Sequence, residues 1–405
     1  MSICIKEALQ IISKNITKVS CEIIPIENMQ GRILAEDIYA NLSLPTFNNS
    51  AMDGYAVKLS DANKQVKVID VIFAGSEKRT QFIENECVKI MTGARVPTTT
   101  EAIIPQELVK VIDENTILLP EKIKANQHIR FTGEDIDKGE KLLNEGDDLN
   151  FSSVTILASQ GITHVKVYRK PKISVFTSGE ELKLHYEKIE EYQIYNSNTP
   201  TLLARTQELG GDVTFVGMAK DNLESLKEVI SNSLYADFII TSGGISVGDA
   251  DFTKEAFDSF DMETLFNGIT IKPGKPTVFG KINNTYILNL PGNPLAAALI
   301  FEVFGKIIMQ KLSGSKNIYH NTLLAKMGEK LDNKKGRTTI IPGFFDGEFF
   351  TASEKRAAGM VGVLHKCNSI MVLNKQNEKI EKDAIVKILP IDWKFFTDIE
   401  KDYFN

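Results

Sequence analysis

The sequence predicts a multidomain α/β plus β protein, on three observations. Residues 171–313 alternate short apolar runs with amphipathic stretches, the pattern of a parallel-type sheet flanked by helices. Residues 45–138 and 319–390 carry short β-like runs punctuated by Gly, Pro and Asn. The length, 405 residues, fits about two to four domains at roughly 150 residues each.

Each element has a local reason. Residues 2–42 open with an amphipathic helix containing Lys6, Glu7 and Lys14, which does not read as a signal peptide. Residues 27–37 repeat apolar side chains at helical spacing and predict a second helix. In the β-rich stretch the runs are 66–73, 87–91 and 116–119. Residues 152–161 return to a helical pattern, and 165–168 read as a short strand. In the α/β stretch, strand 173–176 enters a Gly turn. Helix 200–209 follows, with Asn198 as expected N-cap and Gly210-Gly211 at its end. Strand 213–217 precedes Asp221, which has Glu224 three residues on and reads as the cap of the next helix. Strand 238–241 ends in Ser242-Gly243-Gly244. Strand 286–290 ends in Pro291-Gly292-Asn293-Pro294, and Pro294 opens a long apolar helix through Met309. The last stretch has β-like runs at 338–341, 349–351, 369–373 and 385–388. Its tail, 391–405, holds Trp393, Phe395, Phe396, Tyr403 and Phe404, and is expected to dock on the body.

Composition excludes several function classes. Hydrophobic residues make up 42%, which rules out wholesale disorder. Lys and Arg number 47 against 53 Asp and Glu, a net charge of −6, which argues against a nucleic-acid coat. No run approaches the ~20 apolar residues that span a bilayer. Cys4, Cys21, Cys87 and Cys367 lie far apart, and the five histidines are scattered, so neither a disulfide framework nor a zinc site is expected. A reducing cytoplasm is the expected location.

Several loops are suited to anions. In TSGGISVGDAD, 241–251, a strand runs into paired glycines that let backbone N–H groups approach a phosphate. Its carboxylates suit Mg²⁺, a hard cation that prefers oxygen; the structural alternative is that Asp251 only caps a helix. Lys272-Pro273-Gly274-Lys275-Pro276 presents two ammonium groups from a loop stiffened by proline, against the alternative of a solvated turn. TSGEEL, 177–182, joins hydroxyls, glycine and carboxylates after the first α/β strand; it could equally be a charged surface turn. Asp221 and Asn293 have helix capping as their alternative. Residues 49–56, 92–94 and 132–135 are polar glycine turns, and their spacing alone does not join them to the α/β loops.

Taken together, seven motifs in order resemble the molybdopterin molybdenumtransferase (MoeA-type molybdenum insertase) family. They are NSAMDGYAV at 49–57, TGARVP at 92–97, TGED at 132–135, SGEEL at 178–182, SGGISVGDAD at 242–251, KPGKP at 272–276 and LPGNP at 290–294. The resemblance covers nearly the whole chain. It implies a discontinuous N-terminal mixed domain (1–44 plus 139–169), an inserted β-rich domain (45–138), an α/β molybdopterin-binding domain (170–314) and a C-terminal β-barrel-like domain with the tail (315–405). It implies an elongated homodimer whose active cleft is shared between protomers.

The implied reaction belongs to molybdenum cofactor biosynthesis. It inserts molybdenum from molybdate into the dithiolene of adenylylated molybdopterin, with Mg²⁺-dependent release of AMP. The resemblance makes Asp251, Glu181, Lys272, Lys275 and Asp53 the candidate catalytic residues, with Glu181 and Asp251 also on the metal. Ser242, Gly243, Gly244, Ser246, Asp221, Asn293, Thr92 and Asp135 are the candidate substrate-binding residues. Adenylyltransferase and cofactor-accepting enzymes are the implied partners; nucleic acid and membrane are not. The substrate brings its own sulfurs, so no protein cysteine cluster is needed.

Three places depart from the family pattern: Glu180 and Asn196 stand where Asp is frequent, and Glu354–Gly359 replaces a stretch usually richer in Asn, Gln, Gly and Ser. Any contact that a serine makes there is lost at Ala358, which leaves the direct role of the C-terminal domain open. Two other functions fit some of the same loops. A molybdopterin adenylyltransferase would consume ATP and needs only the α/β domain. A non-catalytic pterin-binding scaffold would have no need to keep Lys272, Lys275, Glu181 and Asp251 together.

Overall fold

The structure is a computed structural model that describes residues 2–243, 252–333, 336–376, 379–392, 400 and 402. The chain packs as two compact units. The first comprises Met1–Glu36, Glu145–Phe151 and His164–Asn405; the second comprises Asp37–Asn144 and Ser152–Thr163.

The first unit is built on a six-stranded sheet. Its strands are β1 (Lys172–Ser178), β2 (Asp212–Ala219), β3 (Phe238–Ser242), β4 (Glu263–Asn267), β5 (Val278–Ile282) and β6 (Thr285–Leu290). They lie in the order β2-β1-β3-β6-β5-β4. The first four of that order are parallel, as the alternating pattern predicts. The other two extend the sheet antiparallel, because a two-residue turn at Asn283-Asn284 folds β5 straight back onto β6. Asn283 has φ +53°, the left-handed conformation that such hairpin turns require and asparagine tolerates.

Successive side chains divide between two cores, since strand residues alternate faces. Val175, Ile240 and Leu288 enter one core; Phe176, Ile239 and Ile287 enter the other. Helices α1 (Ile5–Asn15) and α2 (Asn198–Glu208) supply Ile12 and Leu202 to the first core. Helix α3 (Leu223–Ser233) and α4 (Phe252–Asp258) supply Leu226, Ile230 and Phe257 to the second. The long apolar helix begins at Pro294 as expected. It runs as α5 (Pro294–Ile300), a π-helical turn (Phe301–Gly305) and α6 (Lys306–Leu312).

Five further strands close into a barrel: β7 (Leu323–Met327), β8 (Thr338–Phe345), β9 (Phe349–Ala352), β10 (Ser369–Leu373) and β11 (Ile385–Pro390). The pairing runs β8-β9-β7-β11-β10 and returns to β8, which removes free edges. Ile341, Phe350, Met371 and Ile388 fill its interior. A short strand, Ile271–Lys272, pairs with the start of β8 and ties the lysine loop to the barrel. Gly274 follows at φ +112°, and a Cβ there would come within 2.2 Å of Ile300 Cδ1 on α5, so only glycine fits.

The second helix expected over 27–37 does not form. Only the 3₁₀ turn Ile26–Asn28 is helical. The amides of Gly31, Leu34 and Ala35 bond instead to the carbonyls of Leu149, Asp147 and Lys166, so long-range pairing takes the hydrogen bonds that a helix would need.

The second unit holds a six-stranded sheet in the order Ala102–Pro105, Gly54–Val57, Glu86–Ile90, Gln65–Ile72, Thr116–Leu118 and Lys110–Asp113. Tyr55, Val57, Val66, Ile104 and Ile117 form one core, and Ala56, Ile72, Val88 and Ile103 another. The β-rich reading of this stretch is therefore what the chain adopts.

Candidate active site

The carboxyl ends of β1, β3 and β6 bring the α/β motifs together, where open α/β sheets bind ligands. The Thr177 hydroxyl donates to the Ser242 carbonyl at 2.7 Å, locking the ends of β1 and β3 side by side. Gly243 turns away at φ +97°, and a Cβ there would lie 2.6 Å from the Ser178 carbonyl. Asn198 does not cap its helix as expected. Its Nδ2 reaches across to the Ser242 hydroxyl at 3.3 Å and donates to the Gly292 carbonyl at 2.8 Å. The helix start is served by Asn196, whose Oδ1 accepts from the Thr199 amide at 3.1 Å.

Among the described residues, three buried polar atoms at this edge have no hydrogen-bond partner: Ser178 Oγ, Asn198 Oδ1 and Asn289 Oδ1. Leaving such groups unpaired costs about 1–3 kcal/mol each, so a polar ligand at this edge would recover that cost.

Asp221 is not the helix cap either. Asn222 takes that place, accepting from the Ser225 amide at 2.9 Å. Asp221 is left to accept from the Glu180 amide at 3.4 Å, which joins it to the Ser178–Glu181 turn. Glu181 is exposed and lies with its carboxylate over Gly179; the carboxylate makes no described hydrogen bond or ion pair. A carboxylate without a donor among the described residues fits Mg²⁺, which takes one or two carboxylates and keeps its waters. Gly244, Ser246 and Asp251 lie outside the described residues.

Lys272 and Lys275 open onto a cavity of about 1100 Å³ between the sheet domain and the barrel. Arg337, Lys355 and Arg356 line its barrel side, making five cationic side chains among the described residues, against the carboxylates of Asp332 and Glu354. Asp332 is itself paired with Lys330 at 3.7 Å. Arg356 is steadied by its bond to the Ser353 carbonyl at 2.9 Å. Asn293 also lines the cavity; it precedes α5 but makes no side-chain cap bond, so capping does not explain it. The Leu295 amide bonds the Ala358 carbonyl at 3.0 Å, which seats residues 354–358 against the first turn of α5. The barrel side supplies three of the five cations. Sequence reasoning missed Arg337, Lys355 and Arg356 because nothing local distinguishes them from solvated charges; only the pairing of Ile271–Lys272 with β8 brings Arg337 near the lysine loop.

In the second unit the three glycine-turn motifs form one patch. The Thr92 amide and hydroxyl both donate to Asp53 Oδ1 at 2.7 Å. Those bonds hold the Asp53 carboxyl below its ordinary range. The Ser50 amide bonds the Ala94 carbonyl, and Gly93 returns a bond to Ser50, stitching the first motif to the second. Thr132 donates through its amide and hydroxyl to Asn48 Oδ1 at 2.9 and 3.1 Å, stitching in the third. Asp135 is exposed beside it, its amide held by the Leu44 carbonyl. Asn49 Oδ1 is buried there without a partner among the described residues.

An α/β sheet covered on both faces, with polar groups at its carboxyl edge and a cation-lined cavity in the same unit, is of the class suited to anionic ligands. Comparison with known proteins gives the family. The family model for the MoeA N-terminal region (domain I and II) matches residues 3–161, and that of a probable molybdopterin binding domain matches 174–311. The chain is 36% identical over 382 residues to the molybdopterin molybdenumtransferase of Haemophilus influenzae, covering 92% of this chain and 94% of that one. It is 33% identical over 347 residues to the enzyme of the same name from Staphylococcus epidermidis, covering 84% and 83%. Two solved structures of the molybdopterin biosynthesis moeA protein from Pyrococcus horikoshii superpose with TM-scores of 0.84 at 29% and 26% identity. They cover 97% and 96% of this chain and all of each match. The chain belongs to the molybdopterin molybdenumtransferase family and is accordingly an enzyme, a transferase.

Proposed function

We propose that this enzyme transfers molybdenum from molybdate to the dithiolene of adenylylated molybdopterin and releases AMP, a step of molybdenum cofactor biosynthesis. The observation that carries this reading is the cavity where Lys272 and Lys275 meet Arg337, Lys355 and Arg356. Five cations around one space suit a multiply charged oxyanion, because Coulomb attraction in a partly enclosed site is little screened. The sheet edge at Ser178, Ser242, Gly243 and Asn198 takes the adenylylated pterin: the Ser178 hydroxyl would donate to a phosphate oxygen, while Asn198 Oδ1 and Asn289 Oδ1 would accept from N–H or O–H groups of the substrate.

In the reaction two Mo–S bonds replace two Mo–O bonds. The departing oxygens leave as two waters, using two thiol protons and two from solution, and molybdenum keeps its oxidation state. A third water cleaves the phosphoanhydride, giving AMP and the phosphate of the pterin. Glu181, with Asp251, would hold Mg²⁺, which supplies charge neutralisation to the phosphates when bound. Lysines and arginines hold the two anions against their mutual repulsion.

The curated relatives carry the name of the transferase, which favours this reading over an adenylyltransferase or a scaffold. The enzyme acts as a homodimer in the cytoplasm, with the Asp53, Thr92 and Asp135 patch completing a cleft of the partner protomer, and exchanges substrate and product with adenylyltransferase and cofactor-accepting enzymes. No helix among the described residues is long and apolar enough to cross a membrane. Incubation with adenylylated molybdopterin, Mg²⁺ and molybdate should release AMP in a molybdate-dependent manner. ATP consumption with unmodified molybdopterin, and no AMP release, would favour the adenylyltransferase instead.

A further inference from the structure

The long apolar helix has its first turn at the cavity and its π turn beside the crossings into and out of the barrel. At its start, Ala296 lines the cavity and Leu295 holds the Ala358 carbonyl of the barrel side. Farther along, the π turn buries Glu302, which is 6% exposed. Arg205 of α2 grips that carboxylate with two bonds, Nε to Oε1 at 2.7 Å and Nη2 to Oε2 at 3.0 Å. The same Nη2 donates to the Ile391 carbonyl at 2.7 Å, one residue past the end of β11. Lys306 adds its ammonium at 3.5 Å from Glu302. His320, three residues before β7, packs beside Glu302, Val303 and Lys306.

The chain therefore enters and leaves the barrel at one buried ionic cluster. A planar guanidinium that serves a carboxylate and a carbonyl together fixes their relative position. A π turn inside an α-helix frequently marks a functional position. Core packing between the two domains supports the same joint, since Ile340, Val363 and Ile370 share a cluster with Ile300 and Phe304.

We propose that Arg205 and Glu302 are positioning residues for the oxyanion cavity: by pinning the barrel's exit at Ile391 to the π turn, they set the distance between Arg337 and Arg356 on one wall and Lys272 and Lys275 on the other. The inference rests on the reading of that cavity as the molybdate site. Neither residue touches the anion.

The test is calorimetric titration of the full-length protein with sodium molybdate alone, alongside thermal unfolding. Arg205→Met should weaken molybdate binding by roughly tenfold, the usual size of a coupling between sites. Because it strands the buried Glu302 charge, it will also lower stability. The double variant Arg205→Met with Glu302→Leu removes both charges and should recover the melting temperature, since apolar replacements of buried pairs are tolerated. It still lacks the bond to Ile391, so its affinity should stay weak, and Arg205→Lys should recover part of it. Affinity that returns with the melting temperature in the double variant would overturn the clamp. Wild-type binding by Arg205→Met, with binding lost in Lys275→Ala, would overturn it while leaving the oxyanion reading intact. Wild-type binding by Lys275→Ala would remove the oxyanion reading and the clamp together.

Discussion

Thr92 presents both its amide and its hydroxyl to a single oxygen of Asp53, each at 2.7 Å. Both donors favour the charged carboxylate, so the pKa of Asp53 lies below the ordinary aspartate range. Because the folded value is depressed, the stabilising effect is present above the unfolded pKa and is lost as pH falls through the folded one. A ¹³C titration of the Asp53 carboxyl should give a midpoint below that of an ordinary exposed aspartate. Thr92→Val keeps the amide and removes the hydroxyl, and should raise that midpoint. An unmoved midpoint would mean that the hydroxyl bond contributes nothing.

The lysine loop gives a second expectation. Lys272 and Lys275 are exposed and line the cavity, so their loss should touch binding more than folding. Lys275→Ala and Arg337→Ala should each raise the half-saturating molybdate concentration by about tenfold, the size of one charge-assisted contact. Their melting temperatures should move little. A steady-state titration of AMP release checks both variants, and unchanged half-saturation in the two would remove the cavity from the reaction.

Asn198 separates helix capping from site building. Asn198→Ser retains a residue that suits a helix start but is too short to reach Ser242 and Gly292. Stability should change by no more than about 1 kcal/mol, while kcat/KM falls about tenfold or more through loss of the two bonds that order the edge. Activity equal to wild type, measured with thermal unfolding on the same samples, would return Asn198 to an ordinary helix-start role.

Assembly has its own test. If the Asp53 patch of one protomer serves its partner, Asp53→Ala and Asp251→Ala chains should be nearly inactive alone. Co-expressed with different tags and isolated as the doubly tagged dimer, they should regain about half of wild-type AMP release, because each two-fold dimer then keeps one intact cleft. A confirmed heterodimer as inactive as its parents would place Asp53 in its own chain's chemistry or outside the reaction.

How far the sequence carried can be traced to particular residues. The alternation of apolar runs gave the parallel strands β1, β2, β3 and β6 and both helical faces, because these signals are local. Asn283-Asn284 forms the hairpin that makes β5 antiparallel, but two asparagines in a row do not by themselves announce reversal. Residues 27–37 have helical spacing, yet their amides pair with Asp147, Leu149 and Lys166, partners more than a hundred residues away that no local pattern reveals. Within the site, Lys272 and Lys275 stood out by their prolines. Arg337, Lys355 and Arg356 did not, since their role depends on barrel closure. Asn198 and Asp221 satisfied the rules for helix caps so well that their reach to Ser242 and Glu180 was hidden.

The most direct measurement is the molybdenum K-edge absorption spectrum of the small-molecule product after the enzyme is incubated with adenylylated molybdopterin, Mg²⁺ and molybdate. The account predicts molybdenum with sulfur scatterers in its first coordination shell, formed in step with AMP, and neither signal with a variant lacking both Lys272 and Lys275. Molybdenum that remains coordinated by oxygen alone while AMP is released would contradict it.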